Sequence, residues 1–294
     1  MLEDLQTAYA QLSRGEGVAL PRKTSSYRLW SEALRREAQR TEVKGERSFW
    51  LDQVSAQSAD LPVDVRAEPL ADATRSVYTA ADEETTRRLL HAIPSELELG
   101  VANFLLTAVL RALTAGPAPL LFDLMAHGRA DISEDVAVGR TVGRFTSVFP
   151  VRLALDRSLS SIEQVLATRR QLRRVPRRGF NYGLLRYISP DSEEGAPLRS
   201  MAPICFNYAG RFDHVLLPDS IFSQLQEVPR SQRLNMRGTR RYFVELNTGV
   251  MNQALSIEWR FSDNVHRRPT VEGWANSVVT DLRELVGAAE RWGR

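Results

Sequence analysis

The sequence predicts an α/β fold. Three observations carry that expectation: short apolar runs with β-branched and aromatic residues alternate with amphipathic segments, the two kinds interleave along the whole chain, and no internal repeat or low-complexity tract interrupts them. Hydrophobic residues make up 43% and charged residues 26% of 294, which excludes wholesale disorder.

Asp4–Leu12 carries Leu5, Ala8, Tyr9 and Leu12 at helical spacing, and Gly15 and Gly17 stop it. Pro21–Ser26 reads as a loop ending in a helix N-cap, followed by a helix to about Gln39 with Tyr27, Trp30 and Leu34 on its apolar stripe. Glu46–Val54 predicts another helix, and Leu61–Asp72, rich in Pro, Ala and Asp, a connecting loop. Thr74–Ala80 reads as a strand. Asp82 caps a helix over Glu83–Ile93, with Glu84 in the first turn where the dipole favours acids. Val101–Thr114 is apolar nearly all round, which predicts a buried helix. Pro117–Ala126 and Val148–Leu155 suit interior strands. Ser160–Arg174 is amphipathic, Tyr182–Ile188 a short helix and Pro203–Tyr208 a strand. Tyr242–Thr248 and Ala254–Phe261 alternate like paired strands, and Thr270–Ala289 closes the chain as a helix. Trp30, Trp50, Trp259 and Trp274 fall on apolar faces and read as core.

Charge and cysteine usage narrow the function classes. Net charge is +3, and no known nucleic-acid module is present, so nucleic acid is not expected as a partner. The N-terminus MLEDLQTAYAQL lacks an apolar run and does not read as a signal peptide, and no apolar stretch reaches the ~18 residues of a membrane span. The single cysteine, Cys205, excludes an internal disulfide and any multi-cysteine metal centre, and no metal site is expected. Cys205 precedes Phe206 in an apolar strand and reads as a buried, inert thiol. The expected setting is the cytoplasm.

Four stretches stand out: DLMAHGR at 123–129, RTVGRFTSVFP at 140–150, PRRGFNYGLLRY at 176–187 and CFNYAGRF at 205–212. Together they resemble the epimerization domains of nonribosomal peptide synthetases, members of the condensation-domain superfamily. That family shows Glu-Gly-His-Gly-Arg, Arg-Thr-Val-Gly-Trp-Phe-Thr-Ser, Gly-Tyr-Gly-Leu-Leu-Arg-Tyr and Phe-Asn-Tyr-Leu-Gly in this order. KTSSYRLW at 23–30 and SFWL at 48–51 look like its segments that cross between two lobes, and WRFSDNVHRRPT at 259–270 resembles its closing strand and helix start. The resemblance covers essentially the whole chain. It implies one lobe of a chloramphenicol-acetyltransferase-like architecture, a mixed sheet covered by helices, with residues 1–72 as a helical crossover and linker and 73–294 as the C-terminal lobe.

Departures from the family pattern shape the functional expectation. The family's adjacent histidine pair, followed three residues later by aspartate, belongs to the N-terminal lobe. The histidines here are His91, His127, His214 and His266, and no two are adjacent. Met125 stands where the family has the glutamate of Glu-Gly-His-Gly-Arg, and a thioether has no proton to exchange. Racemising a peptidyl Cα needs a base on one side and an acid on the other, so both members of the expected pair are missing. Arg144 replaces the family's tryptophan. By resemblance, Arg140, Asn207 and Tyr208 are carried over as reaction-centre residues, with an amide and a phenol to bond a thioester carbonyl and a guanidinium to stabilise enolate charge. Met125, Arg144, Ser147 and Tyr182 are expected along the substrate wall. His127 has two readings, a substitute acid or base and a structural residue of a strand end, the second favoured. Arg129 and Asp131 either orient a ligand or fix a loop.

Arg169, Arg170, Arg173, Arg174, Arg177 and Arg178 form the densest charge cluster, with like-charge i,i+4 pairs that repel. The functional reading is an anion-binding face for a carrier protein or its phosphopantetheine phosphate; the bland one is a solvated helix face. Arg230, Arg233, Arg237, Arg240 and Arg241 form a second basic group that assists from a loop. No covalently bound cofactor is expected, and phosphopantetheine comes on a partner carrier. Three functions remain: a non-catalytic lobe that binds a carrier or synthetase partner, which Met125 favours; a split epimerase or condensation enzyme completed in trans by an N-terminal lobe; or a fragment of a longer synthetase. A lone lobe also predicts a homodimer or a polar substitution on its exposed face, and Arg144 is a candidate for the latter.

Overall fold

The strands owe their place to an inside–outside alternation that is strict over Val244–Met251 and gives way to five successive buried residues over 120–124. In a computed structural model, which describes residues 1–93, 95–130, 132–188, 196–211 and 238–292, six strands form one sheet. They are β1 (Thr74–Ala80), β2 (Leu120–Ala126), β3 (Ser147–Leu153), β4 (Ile204–Arg211), β5 (Val244–Met251) and β6 (Ala254–Ser262), in the spatial order β1-β6-β5-β4-β2-β3. The β4 pairings with β2 and β5 are parallel and the outer pairings antiparallel, so the sheet is mixed. The β5–β6 hairpin turns through Asn252 and Gln253, both at positive φ, the conformation a two-residue turn of matching twist requires.

One face of the sheet is apolar. Val77, Phe122, Leu124, Ile204, Phe206, Val244, Leu246, Ile257, Trp259 and Phe261 are all buried there. Helices α5 (Glu83–His91), α6 (Val101–Leu113), α7 (Ser161–Arg173) and α9 (Arg268–Trp292) form the layer against it. Asp82 caps α5 by accepting the Thr85 main-chain N–H at 2.7 Å. Phe104, Leu105, Leu106 and Leu110 are at most 1% exposed, as the all-round apolar pattern of α6 predicts.

The first part of the chain is sewn to this unit. Helices α1 (Leu2–Ser13), α2 (Tyr27–Glu37), α3 (Thr41–Gly45) and α4 (Arg47–Ser55) precede the sheet. Ser26 Oγ caps α2 by accepting the Leu29 N–H at 3.1 Å. Trp30 packs edge-on against Phe145 and Phe180, and Trp50 edge-on against Phe149 and tilted against Tyr182, so α2 and α4 share a core with β3 and α8 (Phe180–Tyr187). The loop before β1 is pinned to the start of α9: Asp64 accepts the Arg267 N–H at 2.7 Å and the Thr270 hydroxyl at 2.9 Å. Nε2 of the buried His266 lies 3.0 Å from the Pro62 carbonyl oxygen, a contact that requires a proton on Nε2 because a carbonyl oxygen only accepts. Among the described residues no helix is long and apolar enough to cross a membrane.

Candidate functional site

The opposite face of the sheet alternates polar side chains where the first alternates apolar ones. Cross-strand register sets them in two rows. The inner row runs Asp123, Cys205, Glu245, Arg260, Ser76 across β2, β4, β5, β6 and β1. The outer row, next along the strands, runs Met125, Asn207, Asn247, Glu258, Tyr78 across the same strands.

The inner row is spanned by the segments that precede β4 and β5. Asp123, 1% exposed, accepts from Ser200 Oγ at 2.6 Å, Arg241 at 2.9 Å and the Tyr242 hydroxyl at 2.8 Å. Burial, then the neighbouring Asp123 charge, pushes the Tyr242 phenol well above its ordinary value. Cys205 is buried beside the same carboxylate, and burial pushes its thiol up to about 12, so it stays protonated and unreactive. Glu245 holds Arg240 at 3.0 Å and Arg260 at 3.2 Å. Arg240 and Arg241, read from the sequence as parts of a basic loop, are therefore ion-pair partners of buried or half-buried carboxylates, Arg240 from the interior and Arg241 from the surface. The Arg240 side chain is 5% exposed, because an arginine can enter the interior only where a carboxylate compensates it. The other members of that group, Arg230, Arg233 and Arg237, lie outside the described residues.

The outer row carries the candidate site. Glu258 Oε1 accepts from Ser76 Oγ at 3.0 Å and the Tyr78 hydroxyl at 2.9 Å, and Oε2 lies 3.4 Å from Asn247 Nδ2. Asn247 Oδ1 lies 3.4 Å from Asn207 Nδ2, and the Thr248 hydroxyl holds the Asn207 main-chain carbonyl at 2.9 Å. Met125 is the register partner of Asn207 on β2. Sequence reasoning had Met125 and Asn207 but missed Asn247 and Glu258. The available signal was the alternation of polar residues with buried apolar ones along the two closing strands.

The other expected site residues are distributed around this row. Tyr208 lies on the helix-covered face, packed against the core, because successive side chains of a strand point to opposite sides. It does not join Asn207 in the row, and burial raises its phenol. His127 is exposed just past β2, and its Nδ1 accepts the Arg129 N–H at 3.0 Å. Gly128 turns there at φ +65, and a Cβ would sit 1.7 Å from the Phe145 carbonyl oxygen. Arg129 stacks on the Phe145 ring at 4.0 Å and bonds the Val138 carbonyl, so it fixes a loop. Asp131 lies outside the described residues. Arg140 pairs with Asp4 and Glu3 of α1. Arg144 is exposed, and its carbonyl accepts from the Tyr27 hydroxyl at 2.9 Å. Ser147 is half-buried at the start of β3. Tyr182 is 2% exposed, its ring against Trp50 and its hydroxyl donated to the Leu198 carbonyl, which makes it a core residue.

The arginine cluster is partly neutralised. Glu98 bridges Arg169 and Arg173, relieving one of the like-charge pairs, and Arg177 pairs with the buried Glu37 at 2.5 Å. Arg170, Arg174 and Arg178 are exposed and form no ion pair among the described residues. Arg177 and Arg178 adopt positive φ ahead of Gly179, whose Cβ position would fall 2.1 Å from the Phe149 ring.

The Condensation domain profile matches residues 1–291. One of the linear gramicidin synthase proteins of Brevibacillus parabrevis is 36% identical over 293 residues, covering 97% of this chain and 4% of the synthase. Tyrocidine synthase 1 of Brevibacillus parabrevis is 27% identical over 297 residues, covering 97% and 27%. The chain thus spans a small part of the curated relatives it matches. Among solved structures, the epimerization domain from the third module of tyrocidine synthetase B superposes with a TM-score of 0.86 at 26% identity, covering 98% of this chain and 65% of that one. The X-domain from teicoplanin biosynthesis shares the fold at a TM-score of 0.65 and 15% identity. Motif order, mixed six-stranded sheet and profile agree: the chain belongs to the condensation-domain family and is of the nonribosomal peptide synthetase condensation and epimerization type.

Proposed function

We propose that this chain is one lobe of an epimerization-type domain that, on its own, binds rather than catalyses. In this reading Arg170 of α7, with Arg174 and Arg178 of the segment that follows it, faces the acidic surface or phosphate of a carrier protein, and the carrier's arm lies along the outer row of the sheet. The observation that carries the reading is Met125 opposite Asn207. The row offers amides to orient a ligand, but the position facing Asn207 holds a thioether that cannot exchange a proton. Phosphopantetheine, when brought by the carrier, supplies the thioester; Asn207 and Asn247 have the hydrogen-bonding groups that suit its amide-bearing arm.

A second reading is a split epimerase or condensation enzyme completed in trans by an N-terminal lobe. The intact Asn207–Asn247–Glu258 row favours it. A fragment of a longer synthetase is the third, and the 4% coverage of the matched linear gramicidin synthase accords with it.

Light scattering of the purified chain, alone and with its cognate holo carrier protein, tests the proposal. The expected result is a one-to-one complex that Arg170→Glu, Arg174→Glu and Arg178→Glu together abolish while the fold survives. A chain that ignores the carrier overturns it. Thioester epimerization by the chain alone would overturn its non-catalytic part, and epimerization only on adding an N-terminal lobe would establish the split enzyme.

A further inference from the structure

The outer row has a direction. Ser76 and Tyr78 hydroxyls both donate to Glu258, so its carboxylate acts as the acceptor end of the row. Asn247, 3.4 Å from the other carboxylate oxygen, must then turn its NH2 toward Glu258, which leaves its Oδ1 toward Asn207. Asn207 must in turn offer its NH2 to Asn247. Each amide is set by the one before it, since the reverse orientation would bring two acceptors together at every junction. The end of the relay is the Asn207 Oδ1, which has no protein donor among the described residues.

The geometry points to Asn207 as a hydrogen-bond acceptor for a ligand secondary amide N–H, with Glu258, acting through Asn247, as the residue that fixes that polarity. This rests on the carrier-arm reading and reverses the role expected from the resemblance, in which the amide donates to a thioester carbonyl. A secondary amide of either the pantetheine arm or the peptide it carries has the required N–H. Met125 opposite offers only a weak acceptor and does not compete for that donor.

Binding to the ¹⁵N-labelled full chain, followed by NMR, tests this with two probe pairs. The first is pantetheine and an isostere with one amide replaced by an ester; the second is N-acetylphenylalanine methylamide and the corresponding methyl ester. In at least one pair the amide is expected to bind about tenfold more tightly than the ester, which lacks the N–H, and the responding pair identifies the source. Glu258→Gln and, independently, Asn247→Ala should reduce that ratio to about threefold or less while the melting temperature stays within a few degrees. Equal binding of amide and ester by the unmodified chain overturns the acceptor role. A ratio that survives both variants overturns the relay. No binding of any probe overturns the carrier-arm reading and this inference with it.

Discussion

The Tyr242 hydroxyl donates to Asp123 Oδ2 at 2.8 Å, tying the segment before β5 to the middle of β2. The carboxylate is buried and has three donors, so its removal takes the acceptor from Ser200 and Tyr242 and the ion pair from the half-exposed Arg241. Asp123→Ala should destabilise the fold by about 3 kcal/mol. Tyr242→Phe, which removes one donor, should cost about 1–2 kcal/mol. Urea denaturation read by tryptophan fluorescence separates the two.

Acid should loosen the junction between the loop before β1 and α9. Burial lowers the His266 pKa below its ordinary 6.5, with the Pro62 carbonyl and Asp64 opposing and Arg240 reinforcing the shift. The folded state thus favours neutral His266, and the unfolded state takes up the proton first as pH falls. The stability contributed by His266 is complete above about 6.5, declines below it at no more than about 1.4 kcal/mol per pH unit, and levels off beneath the folded pKa. In His266→Phe this part of the decline should vanish. Urea midpoints between pH 7.5 and 5 check it; an unchanged slope in the variant would assign the acid limb elsewhere.

Gly128→Ala should be among the most damaging single methyl additions. The residue needs φ +65, and the new Cβ would meet the Phe145 main-chain oxygen, which cannot rotate away. A loss of about 3 kcal/mol is expected from strain and overpacking. Gly183→Ala, in α8 with no atom within 4 Å of its Cβ position, should be neutral or slightly stabilising. Thermal melts of the pair give the contrast.

Arg144→Trp restores an apolar side chain at an exposed position beside Phe145 and Tyr27. The expected outcome is self-association rising with concentration, measured by light scattering. An unchanged mass up to the highest soluble concentration removes Arg144 as a solubilising substitution.

Most of the architecture was legible from the chain because periodicity reports burial. The strand over Thr74–Ala80 coincides with β1, and α6 ends one residue before its expected boundary. Helix α3 was not foreseen: it spans five residues and buries only Val43, too little for a period to show. The candidate site was half legible. Met125 and Asn207 stand out by motif, but their pairing is set by sheet register, as are the positions of Asn247 and Glu258. Register between strands far apart in sequence is written in no local pattern. The partial neutralisation of the charge cluster was hidden for a similar reason. Glu98, which bridges Arg169 and Arg173, comes from a turn far upstream at φ +47.

The pairing of β1 with β6 has a consequence for synthesis of the chain. Ser76 meets Glu258, 182 positions later. At about 5–20 residues per second, the ribosome needs about 10–40 s to add that interval. Throughout that time β1 has no strand to pair with, and the face that Val77 presents stays uncovered. The nascent protein therefore passes through a long interval with an open β-edge, and its yield should respond to translation speed and to chaperones that hold extended segments.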